Sequence, residues 1–274
     1  MKAALIPPIG LLDQFCRGRE YHLALTHLLQ YGRYFKYYLE ASKTSYVILD
    51  NSAHEFQEGQ EIKNLLKNAF DIGASEVIFP DKLFDSEKTV ENAVASVDYI
   101  LEHDFERLPR FGMVPQGLSI PDLLDCANGL AKNYNRARLK DSSKFGVPML
   151  GVSKDYEKFD GGLLRVLERV IFPVANDMGA EIHLFGWGRQ MWAYKEIADK
   201  YGSLIRSIDS AKPFIFGRHQ IILDPTIPEP KYPRRSAGYF FETFSPMEIM
   251  VSEMNIRVFD QIVEGIYDPR LSSL

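Results

Sequence analysis

Cysteine is almost absent from this chain. Cys16 and Cys126 are its only two, which supply neither a disulfide framework nor a Cys-x-x-Cys metal signature and suit a reducing, cytoplasmic setting. Long apolar runs are missing as well: nothing approaches the roughly 20 uninterrupted apolar residues of a membrane span. The opening stretch, MKAALIPPIGLLDQF, is broken by Pro7, Pro8 and Gly10 and has no small-residue cleavage pattern, so it reads as a first strand with its loop, not as a targeting segment. Positive charge shows no excess. The formal net charge is -5, which argues against coating nucleic acid through a general basic field. A glycine-rich phosphate turn is lacking too: Ile9-Gly10-Leu11 after the first strand is a poor one, and this counts against the alternative of a doubly wound open sheet.

What the chain does contain is one unit repeated. Ala3 to Pro7 reads as a strand and Tyr21 to Glu40 as a helix, on the spacing of Leu25, Leu28, Leu29, Phe35 and Leu39. Tyr46 to Leu49 is the second strand, and Ile62, Leu65, Leu66, Ala69 and Phe70 mark the next helix, with Gly73 at its C-terminal cap. A third strand, Glu76 to Pro80, precedes a helix from Ser86 to Leu101 with Val90, Val94, Val97 and Leu101 on its buried face. Phe111 to Val114 is the fourth strand, after which Ser119 caps a helix with Pro121 in its first turn. Val147 to Leu150, Ile182 to Phe185 and Ser203 to Ile208 follow as strands, with one helix from Leu163 to Val174, bent near Pro173, and another ending at Tyr201. Seven such units without a linker predict an α/β fold of the (β/α)8 TIM-type barrel, a single domain over residues 1–274. The eighth unit reads as irregular: Phe214 to Phe244 is rich in proline, glycine and aromatics, with Gln220 to Leu223 as a candidate strand, before Ser245 caps a helix from Met247 to Val263.

In such a barrel the functional residues gather at the C-terminal strand ends, and Asp50, Asp81, Gln116, Gly151, Gly186 and Asp209 all fall there. Carboxylates in that position, without a histidine or cysteine cluster to hold a metal, point to chemistry on a glycosidic bond: one attacks the sugar carbon and another handles protons. Basic residues cluster at Lys132 to Lys144 and at Lys231, Arg234 and Arg235, a pattern that solvated loops also show.

The ordered set LDNSAHEF, FPDKLFD, FGMVPQG, MLGVSK, HLFGWGR and SIDSAKPF resembles the strand-end motifs of the guanine transglycosylases, which exchange guanine in nucleic acid for a 7-deazaguanine base. The resemblance implies a double displacement with no cofactor and no metal. Asp209 matches the nucleophile that holds the sugar as a covalent ester, and Asp50 the general acid/base. Asp81 would accept from the ring N–H and amino group of guanine, while Gln116 and the backbone amides at Gly151 and Val152 donate to its carbonyl; Gly186 is a further substrate contact. Arg189, Lys212, Arg218, Arg234 and Arg235 are the candidates for contact with nucleic acid. Because the target base must leave the stack, an aromatic surface is expected from Phe84, Phe111, Tyr156 or Trp187.

His54 departs from the family pattern, which has paired glycines after its serine, and the three-cysteine, one-histidine zinc module of the tRNA-modifying members has no counterpart here. The resemblance therefore runs to the DNA-modifying branch of bacteria and their viruses. It implies DNA as the partner with tRNA as the alternative, a homodimer or a duplex-opening helper protein, no membrane, and a cytoplasmic location, that of the host for a viral protein. Outside the family, a carboxylate-dependent glycosidase or nucleosidase and a non-catalytic nucleic-acid-binding barrel subunit would use the same rim.

Overall fold

The structure is a computed structural model that describes residues 1–188, 191–224, 235–236 and 238–267. Its strands are β1 (Lys2–Leu5), β2 (Tyr21–Leu25), β3 (Tyr46–Asp50), β4 (Glu76–Ile78), β5 (Arg110–Met113), β6 (Met149–Ser153), β7 (Glu181–Phe185) and β8 (Ile205–Ser210), in one sheet of order β1-β8-β7-β6-β5-β4-β3-β2. The helices are α1 (Leu12–Phe15), α2 (Gly32–Ala41), α3 (Ala53–Phe56), α4 (Ile62–Ile72), α5 (Ser86–Glu102), α6 (Ile120–Lys140), α7 (Gly162–Val166), α8 (Phe172–Met178), α9 (Met191–Tyr201), α10 (Lys212–Arg218) and α11 (Pro246–Glu264). Eight parallel strands alternating with helices make this a fold of the (β/α)8 class. Two compact units make up the chain, Leu23–His183 and Met1–His22 with Leu184–Leu274.

One expected helix is in part a strand. Tyr21–Leu25 is extended and buried at every position, and the helix begins only at Gly32. A five-residue apolar run buried on both faces has no period of its own, so the leucines that follow lend it a helical one. Within Leu23–His183 the tyrosines of α2 hold this terminal strand of the sheet: the Tyr34 hydroxyl accepts from Leu25 N–H at 2.9 Å, and the Tyr38 hydroxyl donates to Leu23 O at 2.9 Å. They satisfy backbone groups that an edge strand leaves open. Counting β2 makes Ile205–Ser210 the eighth strand, and Ile221, Ile222 and Leu223 of the expected Gln220–Leu223 strand lie in irregular chain.

Elsewhere in this unit the helices follow their signals. Gly73 closes α4 in the left-handed region, φ 70, and Ser119 caps α6 by accepting from Asp122 N–H at 3.3 Å. The buried face of α5 is Thr89, Ala93, Ser96, Val97 and Ile100: Val97 is buried as expected, while Val90, Val94 and Leu101 each lie one residue past a buried position. Val90 turns to α6, where a Cβ on Gly129 would stand 2.9 Å from its Cγ2. Ahead of Pro173, Leu167–Ile171 forms a π-helical turn between α7 and α8, which absorbs the N–H that proline lacks. The basic run after residue 131 is largely structural: Lys144 Nζ donates to the carbonyls of Ile100 and Leu101 in the last turn of α5 and of His103 just past it, and Arg136 pairs with Asp98 at 3.2 Å.

In the other unit β1 runs parallel to β8, with Ala4 opposite Asp209. Helices α10 and α11 cross so closely that a Cβ on Gly217 would meet Ser252 Oγ at 1.9 Å. Helix α11 opens with a capping box: Ser245 Oγ accepts from Glu248 N–H, and Glu248 Oε2 accepts from Ser245 N–H at 2.6 Å. Ser245→Ala is expected to cost about 1 kcal/mol, read as a lower denaturant midpoint with unchanged m-value, and Ser245→Asp to recover most of it.

Candidate functional site

In Leu23–His183 strands β3, β4, β5 and β6 pair in parallel, so their C-terminal ends share one side of the sheet. Asp50 is the last residue of β3, and Asp81 and Gln116 each lie three residues beyond their strands, β4 and β5. The structure brings Asp81 and Gln116 together: Gln116 Nε2 donates to Asp81 Oδ2 at 2.6 Å. Asn51, which strand-end reasoning passed over, donates from Nδ2 to Asp81 Oδ1 and to Phe79 O, both at 2.6 Å, and accepts from Ala53 N–H at 2.8 Å. Its signal in the sequence was its place beside Asp50.

Two rim loops are laced together around this amide. Gly59 N–H donates to Asp81 O at 2.8 Å, Leu83 N–H to Gln57 O at 3.1 Å, and Glu58 pairs with Lys82 at 2.7 Å. Gly59 is required there, since a Cβ would stand 2.9 Å from Asn51 Cγ and 3.0 Å from Pro80 Cα. Asp81 is thus only 4% exposed. Burial pushes its carboxyl up from 3.8 to about 6, against the opposing pull of the Asn51 and Gln116 hydrogen bonds. Each oxygen accepts from one side-chain amide, the carboxylate also bonds its own backbone N–H, and in its ionised form the group is an acceptor only.

Asp50 is half-buried, and its Oδ2 accepts from Ser52 N–H at 2.9 Å. His54 is exposed on the short helix α3. Strand β6 runs on to Ser153, so Gly151 and Val152 lie inside the strand and are buried, where the sequence had placed them just past its end. Of the four aromatic candidates only Phe84 is exposed, at 37%. Phe111 packs against Phe79 and Phe145, and Tyr156 stacks on Phe159 at 5.8 Å, so both are core. Phe84 adopts φ 63, a strained value for an aromatic residue, with its N–H donating to Gln116 Oε1 at 3.2 Å and Lys158 Nζ 5.4 Å from its ring centre.

In the unit of Met1–His22 and Leu184–Leu274, Asp209 is the penultimate residue of β8 and 3% exposed. Gly186, just past β7 at φ 74, donates its N–H to Asp209 Oδ1 at 3.1 Å. Trp187 is buried against Tyr194 and Phe259, which removes it as a stacking surface. The cations proposed for nucleic acid are engaged locally. Lys212 Nζ donates to Gly188 O and lies 5.9 Å from the Trp187 ring, Arg218 pairs with Glu248 and, at 3.7 Å, with Glu242, and Arg235 lies over Phe240 at 5.0 Å. Lys231, Arg189 and Arg234 fall outside the described residues.

Among the described residues no helix is long and apolar enough to cross a membrane, and no group of three or more His, Cys, Asp or Glu side chains could hold a metal ion. Neither the protein-family models nor the curated proteins contain a match to this chain.

Proposed function

We propose that the chain is a nucleic-acid guanine transglycosylase that exchanges guanine for a 7-deazaguanine base, with DNA as the acceptor. The observation that carries the reading is Asp81: a buried carboxylate, oriented by Asn51 and Gln116 at the C-terminal side of a (β/α)8 sheet, the type of group that accepts from a neighbouring pair of N–H donors. The ring N–H and amino group of guanine are such a pair, and adenine has no equivalent. In this reading Asp209 attacks the anomeric carbon as guanine leaves, Asp50 supplies the proton to the departing base, and the incoming base displaces the ester after losing its proton to Asp50. Of the four aromatic candidates, Phe84 is the one exposed enough to stack on an extruded or flanking base.

The test is incorporation of labelled guanine into duplex DNA, single-stranded DNA and tRNA side by side. Label in DNA is the expected result. Label in tRNA alone would replace the acceptor and keep the chemistry, and release of free guanine without incorporation would make the chain a hydrolase.

A further inference from the structure

Ser52 is fully buried and holds a left-handed backbone, φ 62 and ψ 26, which an L-residue adopts only at a cost. Two polar neighbours account for that conformation. Its N–H donates to Asp50 Oδ2 at 2.9 Å, and its Oγ lies 2.8 Å from His27 Nδ1 while accepting from the His27 backbone N–H at 3.4 Å. His27 sits in a single 3₁₀ turn, Thr26–Leu28, directly after β2, the strand beside β3 in the sheet. That turn is itself anchored: Asn68 Nδ2 donates to Thr26 Oγ1 at 2.9 Å, Gln30 Nε2 donates to His27 O at 2.9 Å, and the Phe56 ring meets the imidazole edge-on at 5.4 Å. All of these residues belong to Leu23–His183.

We propose that His27 is a positioning residue for the Asp50 carboxylate, acting through Ser52. The imidazole holds Ser52 Oγ, Oγ helps keep residue 52 in the left-handed region, and in that geometry the Ser52 N–H meets Asp50 Oδ2. Without His27 the strained residue relaxes toward an ordinary conformation and its N–H shifts, removing one of the contacts that orient the carboxylate. A proton donor that must meet the leaving base within hydrogen-bond reach loses rate when its orientation is lost, while binding of the base, assigned to Asp81, is untouched. The inference rests on the acid/base role given to Asp50 above.

The experiment uses the full chain with its aspartates labelled at 13Cγ, the Asp50 resonance being assigned from Asp50→Asn. His27→Ala and Ser52→Ala are each expected to move the Asp50 resonance and the Ser52 amide proton. They are also expected to lower kcat for base exchange about tenfold or more with KM within about twofold. The double variant should be no worse than either single one, because both break the same chain of contacts. In His27→Asn the side-chain amide occupies the place of Nδ1, so the Asp50 signal and the rate should return. An Asp50 resonance unmoved in Ser52→Ala, or His27→Asn indistinguishable from His27→Ala, would overturn the proposal. A wild-type chain that exchanges no base would sink the transglycosylase reading alone, since the resonances still report whether His27 positions Asp50.

Discussion

Asp209→Ala is expected to lower the rate of base exchange by about 10⁴-fold or more, the scale seen when a covalent nucleophile is removed. Asp209 is almost fully buried, with one carboxylate oxygen held by the Gly186 amide at 3.1 Å, so its geometry is set before a sugar arrives. Asp209→Asn separates chemistry from folding. The amide keeps an oxygen for the Gly186 N–H but cannot form the ester, so exchange should be lost while the denaturant midpoint stays close to that of the wild type. The intermediate gives an independent readout. With nucleic acid present and no incoming base, the wild type should retain a denaturation-resistant adduct, which both variants lack. Exchange that persists in Asp209→Asn would move the nucleophile elsewhere and end the double-displacement scheme built on this residue.

The second large effect concerns stability and has a sign that runs against ordinary acid denaturation. The Asp81 carboxyl titrates near 3.8 when unperturbed and at about 6 in the folded chain. Between those values the folded state holds a proton that the unfolded state has lost. The contribution of Asp81 to stability is therefore fully present below its unfolded value and is lost as pH rises through about 6, a change of about 3 kcal/mol. Glu20, Glu58, Asp141 and Glu248 are shifted downward and work in the opposite sense, so the difference between wild type and Asp81→Asn is the quantity to measure. Urea unfolding from pH 4 to pH 7 should show the wild type losing stability relative to the variant as pH rises. Parallel curves would mean that Asp81 is not held in a proton-binding environment. At pH 4 the variant should itself be less stable by about 1–3 kcal/mol, because Asn51 and Gln116 both present N–H donors and an asparagine offers only one acceptor oxygen to the pair.

The place of Asp81 after an apolar strand was legible from EVIFPDK alone, because a parallel barrel puts such residues on one rim. Its partner Asn51 was not, since 30 residues of chain separate the two and nothing in either motif encodes the hydrogen bond. The same holds for the aromatics: Phe84, Phe111, Tyr156 and Trp187 are equivalent as letters, and only packing divides one exposed ring from three buried ones.

The sequence alone carries the fold class, because spacing of apolar residues, serine caps at Ser119 and Ser245 and a C-terminal glycine at Gly73 are local signals that act over one helical turn or one strand. It also determined which carboxylates end the strands. Tertiary structure alone decided that Tyr21–Leu25 is a strand, since a short run buried on both faces takes its form from its neighbours and from the hydroxyls of Tyr34 and Tyr38. It alone turned α5 so that Thr89, Ala93 and Ser96 are buried, placed Gly151 and Val152 inside β6, and engaged Lys212, Arg218 and Arg235 with nearby carbonyls, carboxylates and rings. And it alone joined His27, Ser52 and Asp50, because a hydrogen bond between side chains on neighbouring strand ends depends on register and backbone angle, neither of which a local pattern specifies.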